Sequence, residues 1–451
     1  MAKAKKAFFC QSCGAQHPQW QGQCKACKEW NTLVEEIIAP AQGTAASSVS
    51  NRQNNTPLAL TEIQADQNPR MLSLDPEMNR ILGGGFVPGA VMLLGGEPGI
   101  GKSTLLLQLS MQMDRKVLYV SGEESLQQIK LRADRLGVAT DQTFILSETD
   151  LGSIFSQLEK VAPELIIIDS IQTLQSDRIE SGAGSVSQIR ACTAELIQLA
   201  KTTQIPIILV GHITKEGQLA GPKILEHMVD TVLQFEGDRN HMYRIIRVQK
   251  NRFGATSELG IYEMQSEGLR PVTNPSEILL SQPREGFSGH AVVATIEGIR
   301  PLMIEVQALV STAVYGTPQR STTGFNAKRL NMLLAVLEKR AGFALATKDV
   351  FINIAGGLSL EDPALDLAVI AAILSSYQDI ALPAQCCFAA EVGLSGELRP
   401  VPKVEQRISE AAKLGFQTII VAQAGKKPLE HKGIQIIAFD KLEAVLTYLL
   451  G

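Results

Sequence analysis

A glycine-rich loop that ends in a lysine and a serine carries the clearest chemistry in this sequence. Residues 95–104 read Gly-Gly-Glu-Pro-Gly-Ile-Gly-Lys-Ser-Thr and contain the spacing Gly-x-x-x-x-Gly-Lys-Ser. Glycines let the backbone fold so tightly that successive N–H groups surround phosphate oxygens. The sequence therefore predicts a nucleoside triphosphate site. Its expected binding residues are Gly96, Glu97, Pro98, Gly99, Ile100, Gly101, Lys102, Ser103 and Thr104.

The flanks of this loop agree with that interpretation. The apolar residues 90–94 suit a buried parallel strand, and Leu105, Leu106 and Leu107 begin a helix whose positive end faces the same anion. In such a strand, loop and helix, we expect Lys102 to reach the β- and γ-phosphates and Ser103 to bind Mg²⁺.

Four acidic or imidazole residues are candidates to complete the site. Asp169 ends the apolar run 165–168, from where its carboxylate can hold Mg²⁺ beside Ser103, although it could also simply cap the next turn. Glu123 and Glu124 follow another apolar run, and Glu123 is our first choice for the base that activates water. A solvated pair of acids at a helix start is the alternative. His212 could sense the γ-phosphate or be an ordinary loop histidine.

Four cysteines near the N-terminus have the spacing of a metal site. They form two Cys-x-x-Cys pairs, and each pair can supply two thiolates to a tetrahedral Zn²⁺ ion from one tight turn. A redox role is the alternative. We expect Trp20 and Trp30 to pack around this small core, and we expect Cys192, Cys386 and Cys387 to be ordinary core residues. The expected zinc ligands are Cys10, Cys13, Cys24 and Cys27.

Length and composition indicate a globular chain of several domains. The 451 residues are 45% hydrophobic, no apolar run is long enough to span a membrane, and the N-terminus lacks a signal-peptide pattern, so a cytoplasmic protein is expected. The net charge of −4 excludes a uniformly basic coat but not a local basic channel.

The pattern of apolar runs divides the chain into four parts. Residues 1–35 form the metal module, and residues 36–70, which are rich in Ala, Gln, Asn, Ser and Thr, form a linker. Residues 71–272 alternate apolar strands with amphipathic stretches, which predicts an α/β fold with a parallel sheet that ends in an antiparallel hairpin. Residues 285–451 place strands before helices, as in a separate α+β domain.

Several motifs resemble those of the RecA-like ATPases and, over essentially the whole chain, those of the RadA (Sms) family of bacterial DNA-repair ATPases. They are the four-cysteine head, Gly83-Gly-Gly-Phe-Val-Pro-Gly89, Ser121-Gly-Glu-Glu-Ser125 and above all Lys250-Asn-Arg-Phe-Gly254. From the residues alone, the last motif is a solvated hairpin tip with two outward cations. The resemblance implies instead that Lys250 and Arg252 act at the γ-phosphate of a neighbouring subunit.

The same resemblance indicates where DNA would bind. RecA-like motors place loops after the Walker B strand and after the following strand, along the central hole of a ring. Those positions correspond here to residues 176–190 and 214–223, both polar and glycine-bearing. Sequence-independent contact with phosphates is expected, and plain surface loops are the alternative. The candidate DNA-binding residues are Arg178, Arg190, Lys215 and Lys223.

The C-terminal part resembles the Lon protease domain but lacks its nucleophile. Lon proteases use a Ser–Lys pair. Ala364 stands where the resemblance places the serine, and Glu405 stands where it places the lysine, with Lys403 nearby. We therefore expect no peptide hydrolysis and interpret this domain as a platform for assembly and DNA contact, with Ser359 as the nearest other hydroxyl.

The resemblance implies an ATP-dependent DNA motor of homologous recombination. Such a protein would use ATP, Mg²⁺ and Zn²⁺, form a homo-oligomeric and hexameric ring, bind single-stranded and branched DNA, and work with a RecA-type recombinase without a membrane. The alternative is a non-translocating mediator that uses ATP as an assembly switch. An ATP-dependent protease conflicts with Ala364, and a clock-type autokinase explains neither the cysteines nor the C-terminal domain.

Overall fold

The computed structural model describes residues 5–10, 15–38, 69–138, 140–212, 224–237, 243–256, 258–272, 286–313, 317–355, 360–425 and 429–450, with residues 274, 276 and 280. The chain divides into two compact units. The first comprises residues 1–236, 244–256 and 260–271, and the second comprises residues 237–243, 257–259 and 272–451.

The N-terminal part of the first unit is a small antiparallel sheet. Its strands are β1 (Lys5–Cys10), β2 (Gln16–His17) and β3 (Leu33–Ile38), in the order β2-β1-β3. Cys10, Cys24 and Leu33 form its core. The expectation for the tryptophans is wrong, because this interior is built around thiols and both indole rings lie outside it: Trp20 is 58% exposed and Trp30 is 68% exposed.

A nine-stranded sheet forms the centre of the first unit. Its order is β12-β11-β10-β9-β4-β8-β7-β5-β6, and the six strands from β9 to β6 are parallel. The strands are β4 (Val91–Gly96), β5 (Val117–Ser121), β6 (Thr143–Ser147), β7 (Leu165–Asp169), β8 (Ile207–His212), β9 (Thr231–Glu236), β10 (Tyr243–Asn251), β11 (Leu259–Gln265) and β12 (Gly268–Pro271). The predicted α/β character of this region is confirmed.

Helices cover both faces of this sheet, because its central strands are apolar on both sides. One hydrophobic cluster includes Leu94, Leu106 and Tyr119, and the other includes Leu93, Ile168 and Cys192. The helices are α1 (Pro76–Ile81), α2 (Lys102–Gln112), α3 (Leu126–Leu136), α4 (Leu151–Val161), α5 (Val186–Thr203) and α6 (Ile224–Met228).

Strand β10 extends further than the sequence indicates. Lys250 and Asn251 pair with Val232 and Thr231 of β9, after a register shift between Val248 and Lys250. The Lys-Asn-Arg-Phe-Gly motif therefore does not lie wholly at the tip of a hairpin. Its first two residues belong to the sheet, and only residues 252–254 form the turn.

The second unit contains a seven-stranded mixed sheet in the order β15-β16-β14-β13-β17-β20-β21 and a two-stranded sheet, β18-β19. Its strands are β13 (His290–Glu297), β14 (Arg300–Thr312), β15 (Arg320–Thr323), β16 (Lys348–Ile354), β17 (Cys386–Ala389), β18 (Glu391–Val392), β19 (Leu398–Arg399), β20 (Thr418–Ala422) and β21 (Gln435–Phe439). Its helices are α7 (Ala327–Ala341), α8 (Leu365–Gln378), α9 (Val404–Lys413) and α10 (Leu442–Leu450). Cys386 and Cys387 are buried here, as Cys192 is in the first unit, so all three are core residues as predicted.

Candidate nucleotide site

The glycine-rich loop connects β4 to α2 at the carboxyl edge of the parallel strands. Gly101 precedes the helix in a left-handed conformation with a φ of 116°, and no side chain caps the first turn. The N–H groups of that turn therefore lack intrahelical partners, and with the helix dipole they form a binding site for an anion. This geometry suits a phosphate group.

Glycine is required at two positions of the loop, at Gly96 by close backbone packing and at Gly101 by its left-handed φ of 116°. A Cβ atom on Gly96 would lie 2.8 Å from the carbonyl oxygen of Phe235, and one on Gly101 would lie 2.9 Å from Cε of Met264. Arg244, which is buried in β10, donates from Nε to the carbonyl oxygen of Ile100 at 2.9 Å. Contacts with β9, β10 and β11 therefore hold the glycine-rich loop in place.

Lys102 lies in the loop with a buried side chain. Its Nζ donates to the carbonyl oxygens of Gly96, at 2.7 Å, and Glu97, at 2.9 Å. Burial lowers the pKa of Lys102 to about 8, and the charges of Asp169, Glu123 and Glu97 oppose this shift. No carboxylate pairs with the ammonium group at hydrogen-bond distance within the described chain, so its charge remains available to a ligand.

Asp169 ends β7 with a carboxylate that is held in place. The hydroxyl of Tyr119, in the neighbouring strand β5, donates to Oδ2 of Asp169 at 2.5 Å. Burial, followed by the charge of this aspartate, raises the pKa of Tyr119 well above its usual value, so the phenol keeps its proton and remains a donor. Ser103 is the second residue of α2 and is half-buried. A hydroxyl and a carboxylate oxygen are ligands that suit Mg²⁺.

The structure separates the roles of the two adjacent glutamates. Oε1 of Glu123 accepts from the hydroxyl of Ser170 at 2.7 Å and lies 3.1 Å from Nε2 of His212. Burial alone would raise the pKa of Glu123, but these contacts outweigh it and the pKa is lowered. Glu124 instead forms a bidentate ion pair with Arg132 of α3.

The turn between β5 and Glu123 has room for no side chain. A Cβ atom on Gly122 would lie 2.0 Å from the hydroxyl oxygen of Thr173. Thr173 in turn donates to the carbonyl oxygen of Ser170, and the N–H of Gly122 donates to that of Asp169. Because these contacts join the ends of β5 and β7, they place Glu123 on the same edge of the sheet as Asp169.

His212 ends β8 beside Glu123. Its Nδ1 is buried and has no hydrogen-bond partner among the described atoms. His212 is the last residue of β8, which pairs in parallel with β4. It therefore lies at the same edge of the sheet as the glycine-rich loop.

Lys250 and Arg252 lie at the opposite edge of the sheet. The sequence predicts that Lys250 projects outward, and this is wrong. Its Nζ donates to two carbonyl oxygens at the end of α6, to that of Glu226 at 2.8 Å and to that of Val229 at 2.7 Å. Arg252 is half-exposed and lies 3.3 Å from Oδ1 of Asp230.

The four candidate DNA-binding residues are only partly described. Arg178 is exposed and lies 3.4 Å from Glu195. Arg190 is exposed on α5. Lys215 and Lys223 lie outside the described residues. The structure therefore leaves Arg178 and Arg190 accessible.

The N-terminal cysteines converge as a metal site requires. The Sγ atoms of Cys10, Cys24 and Cys27 lie within 4.8 Å of one another, and Cys13 lies outside the described residues. Nε2 of His17 lies 3.4 Å from Sγ of Cys24. Clustered thiols of this kind suit Zn²⁺.

In the second unit, the residues at the positions of the Lon-like Ser–Lys pair make other contacts. Ala364 is fully buried at the start of α8, and Lys403 donates to the carbonyl oxygen of Gly298 at 2.9 Å. Glu405 lies in the first turn of α9, and Ser359 lies outside the described residues. A buried ion pair joins Asp362 to Arg407 at 2.5 Å.

Sequence reasoning missed four residues that position the nucleotide site: Tyr119, Ser170, Thr173 and Arg244. Two of them carry a signal that could have been used. Tyr119 is the one aromatic residue in an otherwise aliphatic strand, and Ser170 directly follows the predicted aspartate. Arg244 carries no such signal, because its partner Ile100 is 144 positions away in the sequence. Thr173 carries none either, because its contact with Gly122 exists only once the turn has formed.

Among the helices that the structure describes, none combines the length and the apolar character needed to cross a membrane.

Three family models match the chain. The AAA domain matches residues 56–218, the rubredoxin metal binding domain matches residues 8–35, and subunit ChlI of Mg-chelatase matches residues 304–425. A solved KaiC-like protein from Pyrococcus horikoshii is 20% identical, with a TM-score of 0.38 over 45% of this chain and 99% of its own. The predicted fold class, a RecA-like P-loop core with a zinc ribbon and a Lon-like α+β domain, is confirmed.

Curated relatives match the chain along its whole length. The DNA repair protein RadA of Bacillus subtilis is 50% identical and covers 100% of both chains. The DNA repair protein RadA of Listeria monocytogenes is 46% identical and covers 99% of both. With a cysteine cluster, a P-loop and a C-terminal α+β unit in the same order, the chain belongs to the RadA family of DNA repair proteins.

Proposed function

We propose that this protein is a DNA-dependent ATPase that assembles into a hexameric ring, moves on single-stranded DNA and promotes branch migration during homologous recombination. In this proposal it works with a RecA-type recombinase. The family membership supports DNA repair as the setting, and the P-loop supports ATP as the fuel.

Within one subunit, the site is suited to hydrolysis of the γ-phosphate. Lys102 would bind the β- and γ-phosphates, and Ser103 and Asp169 would hold Mg²⁺, which would supply positive charge to the phosphate oxygens. Glu123 accepts a proton from the attacking water as the water oxygen bonds to the γ-phosphorus and the bond to ADP breaks. His212 senses the γ-phosphate through Glu123. Glu123 contacts a hydroxyl and an imidazole, whereas both carboxylate oxygens of Glu124 are paired with Arg132, and this supports Glu123 as the base.

The observation that carries the inter-subunit part is the placement of Lys250 and Arg252. Asn251 pairs with Thr231 at the start of β9, whereas Phe235, near its end, pairs with Gly96 of the loop. Four residues of strand separate these points, or about 13 Å. Both cations therefore lie about one strand length from the phosphate site of their own subunit. Half-exposed Arg252 is suited to the γ-phosphate of a neighbour, and in this proposal Lys250 acts there after it leaves the carbonyl oxygens of Glu226 and Val229.

The remaining parts fit this proposal. Arg178 and Arg190 are accessible for phosphate contacts, and we assign Lys215 and Lys223 the same role. Cys10, Cys13, Cys24 and Cys27 would hold Zn²⁺. The C-terminal unit serves assembly and DNA contact without peptide hydrolysis, because Ala364 supplies no nucleophile.

Lys102→Ala tests the motor. We expect the variant to lose DNA-stimulated ATP hydrolysis and the displacement of a labelled strand from a three-strand junction, while it still binds single-stranded DNA. The matched control is Lys201→Ala, which removes an exposed lysine from the last turn of α5. If Lys102→Ala still promotes strand exchange by a recombinase at the full rate, the protein is a non-translocating mediator and the proposal is wrong.

A further inference from the structure

The side chain of Arg70 ties the turn that carries Arg252 to a second turn of the first unit. Nη2 of Arg70 donates to the carbonyl oxygen of Phe253 at 2.7 Å. Its Nη1 donates to the carbonyl oxygen of Gly83 and, at 3.2 Å, to that of Leu82. The guanidinium group thus bridges the turn of residues 252–254 to the turn that follows α1.

The two turns also touch through their backbones. A Cβ atom on Gly83 would lie 3.2 Å from Cα of Gly254, and one on Gly254 would lie 3.3 Å from Cα of Gly83 and 2.8 Å from Nδ2 of Asn251. Gly83 also has a φ of 78°, which a residue with a side chain rarely adopts. Glycine at both positions therefore allows the contact that Arg70 closes.

Other contacts fix the two ends of the same turn. Oδ1 of Asn251 accepts from the N–H of Phe253 at 3.0 Å, which shapes the turn, and the N–H of Arg252 donates to the carbonyl oxygen of Asp230 at 3.1 Å. Oδ2 of Asp230 accepts from the N–H of Val91 at the start of β4. Among the described residues, Arg70 is the one whose side chain donates to the carbonyl oxygen of Phe253, directly after Arg252, and this contact is placed to direct how Arg252 leaves the sheet.

A lysine could not reproduce this arrangement. Arg70 contacts carbonyl oxygens on two separate segments with two different nitrogen atoms, and the planar guanidinium group presents these donors in a fixed geometry. An ammonium group is a point charge on a flexible stem and would hold one segment at a time. The contacts therefore select arginine and not merely a positive charge.

We propose that Arg70 is a positioning residue for ATP hydrolysis in the neighbouring subunit, because it holds the turn from which Arg252 reaches the neighbour's γ-phosphate. This inference rests on the proposed inter-subunit role of Arg252. The hydrogen bonds of Arg70 end on Leu82, Gly83 and Phe253 and not on the nucleotide loop, so we expect that loop to stay intact in its own subunit when Arg70 is removed.

The first measurement is steady-state ATP hydrolysis by Arg70→Ala in the presence of single-stranded DNA. Because a misplacement of about 1 Å can cost about 100-fold in rate, we expect kcat to fall at least about 10-fold. KM for ATP should change little, since Lys102 is untouched. Arg70→Lys should be impaired nearly as much, and Arg115→Ala, which removes one partner of an exposed ion pair with Glu164, should behave as the original protein.

Mixed oligomers separate a positioning role from a general loss of structure. An Arg70→Ala subunit has an intact nucleotide loop and a displaced Arg252, whereas a Lys102→Ala subunit has the reverse. Mixing the two impaired proteins should restore hydrolysis, because some loops of the first kind then face an intact Arg252 of the second. Mixing Arg70→Ala with Arg252→Ala should restore nothing.

Each result decides the matter. If Arg252→Ala mixed with Lys102→Ala recovers activity but Arg70→Ala mixed with Lys102→Ala does not, Arg70 acts within its own subunit and the inference is wrong. If neither mixture recovers, the inter-subunit role of Arg252 fails and the role of Arg70 fails with it. Full activity of Arg70→Lys would show that charge alone suffices and would also overturn the inference.

Discussion

Lys102 in the first unit and Arg407 in the second are both cations with nearly buried side chains, but their partners differ. Lys102 donates to two carbonyl oxygens of the glycine-rich loop. Arg407 forms a buried ion pair with Asp362, whose carboxylate also accepts from Thr295 and from the N–H of Ile296. One charge is left unneutralised for a ligand, and the other is neutralised within the protein.

This difference indicates what each buried charge contributes. The pKa of Lys102 is lowered because burial penalises its charge, which an arriving triphosphate would relieve. Burial acts on Asp362 in the opposite direction and would raise its pKa, but Arg407 outweighs burial and the pKa is lowered. The buried charge of Lys102 therefore lowers the free energy of unfolding until a triphosphate binds to it. Arg407 instead neutralises Asp362, which would otherwise be an unpaired buried charge.

The largest expected effect is on the stability of the second unit. Arg407→Met leaves the carboxylate of Asp362 without its partner and should lower the free energy of unfolding by about 3–5 kcal/mol. Lys102→Met should leave the stability of the first unit unchanged or raise it. Hydrogen exchange of peptides from β13, α8 and β4 measures both, unit by unit.

The matched control is the double variant Arg407→Met with Asp362→Leu, which removes both charges and should recover most of the loss. Equal destabilisation by Lys102→Met and Arg407→Met would remove the distinction between the two sites.

The next effect is on catalysis at the nucleotide edge. Glu123→Gln removes the proposed base and should lower kcat for ATP hydrolysis by about 100-fold or more, with ATP binding retained. Glu124→Gln should change kcat only a few-fold, because Glu124 is already paired with Arg132. Single-turnover hydrolysis compares the two variants, and an equal loss in both would mean that the base is not Glu123.

The smallest effect is a dependence of nucleotide affinity on pH. Free Lys102 has a pKa of about 8, and a bound triphosphate favours the charged form. Above pH 8, binding should therefore take up a proton, and affinity should fall by at most about tenfold per pH unit. Calorimetry in buffers of different ionisation enthalpy detects this proton.

Two further outcomes test the same pKa. In Lys102→Arg the guanidinium group stays charged, so any remaining binding should lack proton uptake. In the protein without nucleotide, the pKa of Lys102 lies below the 10.5 of an exposed lysine, so at this position the unfolded chain binds more protons between about pH 8 and 10.5. The contribution of Lys102 to the free energy of unfolding should therefore rise with pH across that window, and the difference between the original protein and Lys102→Met measures it. Absence of proton uptake above pH 8 would contradict the lowered pKa.

The sequence predicted those parts of the molecule whose chemistry is local. The glycine-rich loop, the strand that ends at Asp169 and the cysteine pairs each depend on residues a few positions apart, and their types alone indicate phosphate or metal binding. The apolar and alternating runs of β4 to β11 predict eight of the nine strands for the same reason, whereas the short strand β12 (Gly268–Pro271) has no such run.

Contacts between distant residues could not be predicted in this way. Tyr119 and Asp169 are 50 positions apart, and Arg70 and Phe253 are 183 positions apart, so each contact depends on the register of the folded sheet. Lys250 was expected at an exposed tip because its pairing with β9, beyond a register shift, leaves no trace in the hydrophobic pattern.

The exposed indole rings of the zinc ribbon have a practical meaning. Trp20 and Trp30 are the only two tryptophans in the sequence, and both lie outside the small thiol-lined core. The intrinsic tryptophan fluorescence of the whole protein therefore originates from this one module, and the ATPase core and the C-terminal unit contribute none of it. Any quenching or spectral shift on addition of DNA or of another protein would report on the ribbon directly, without a label.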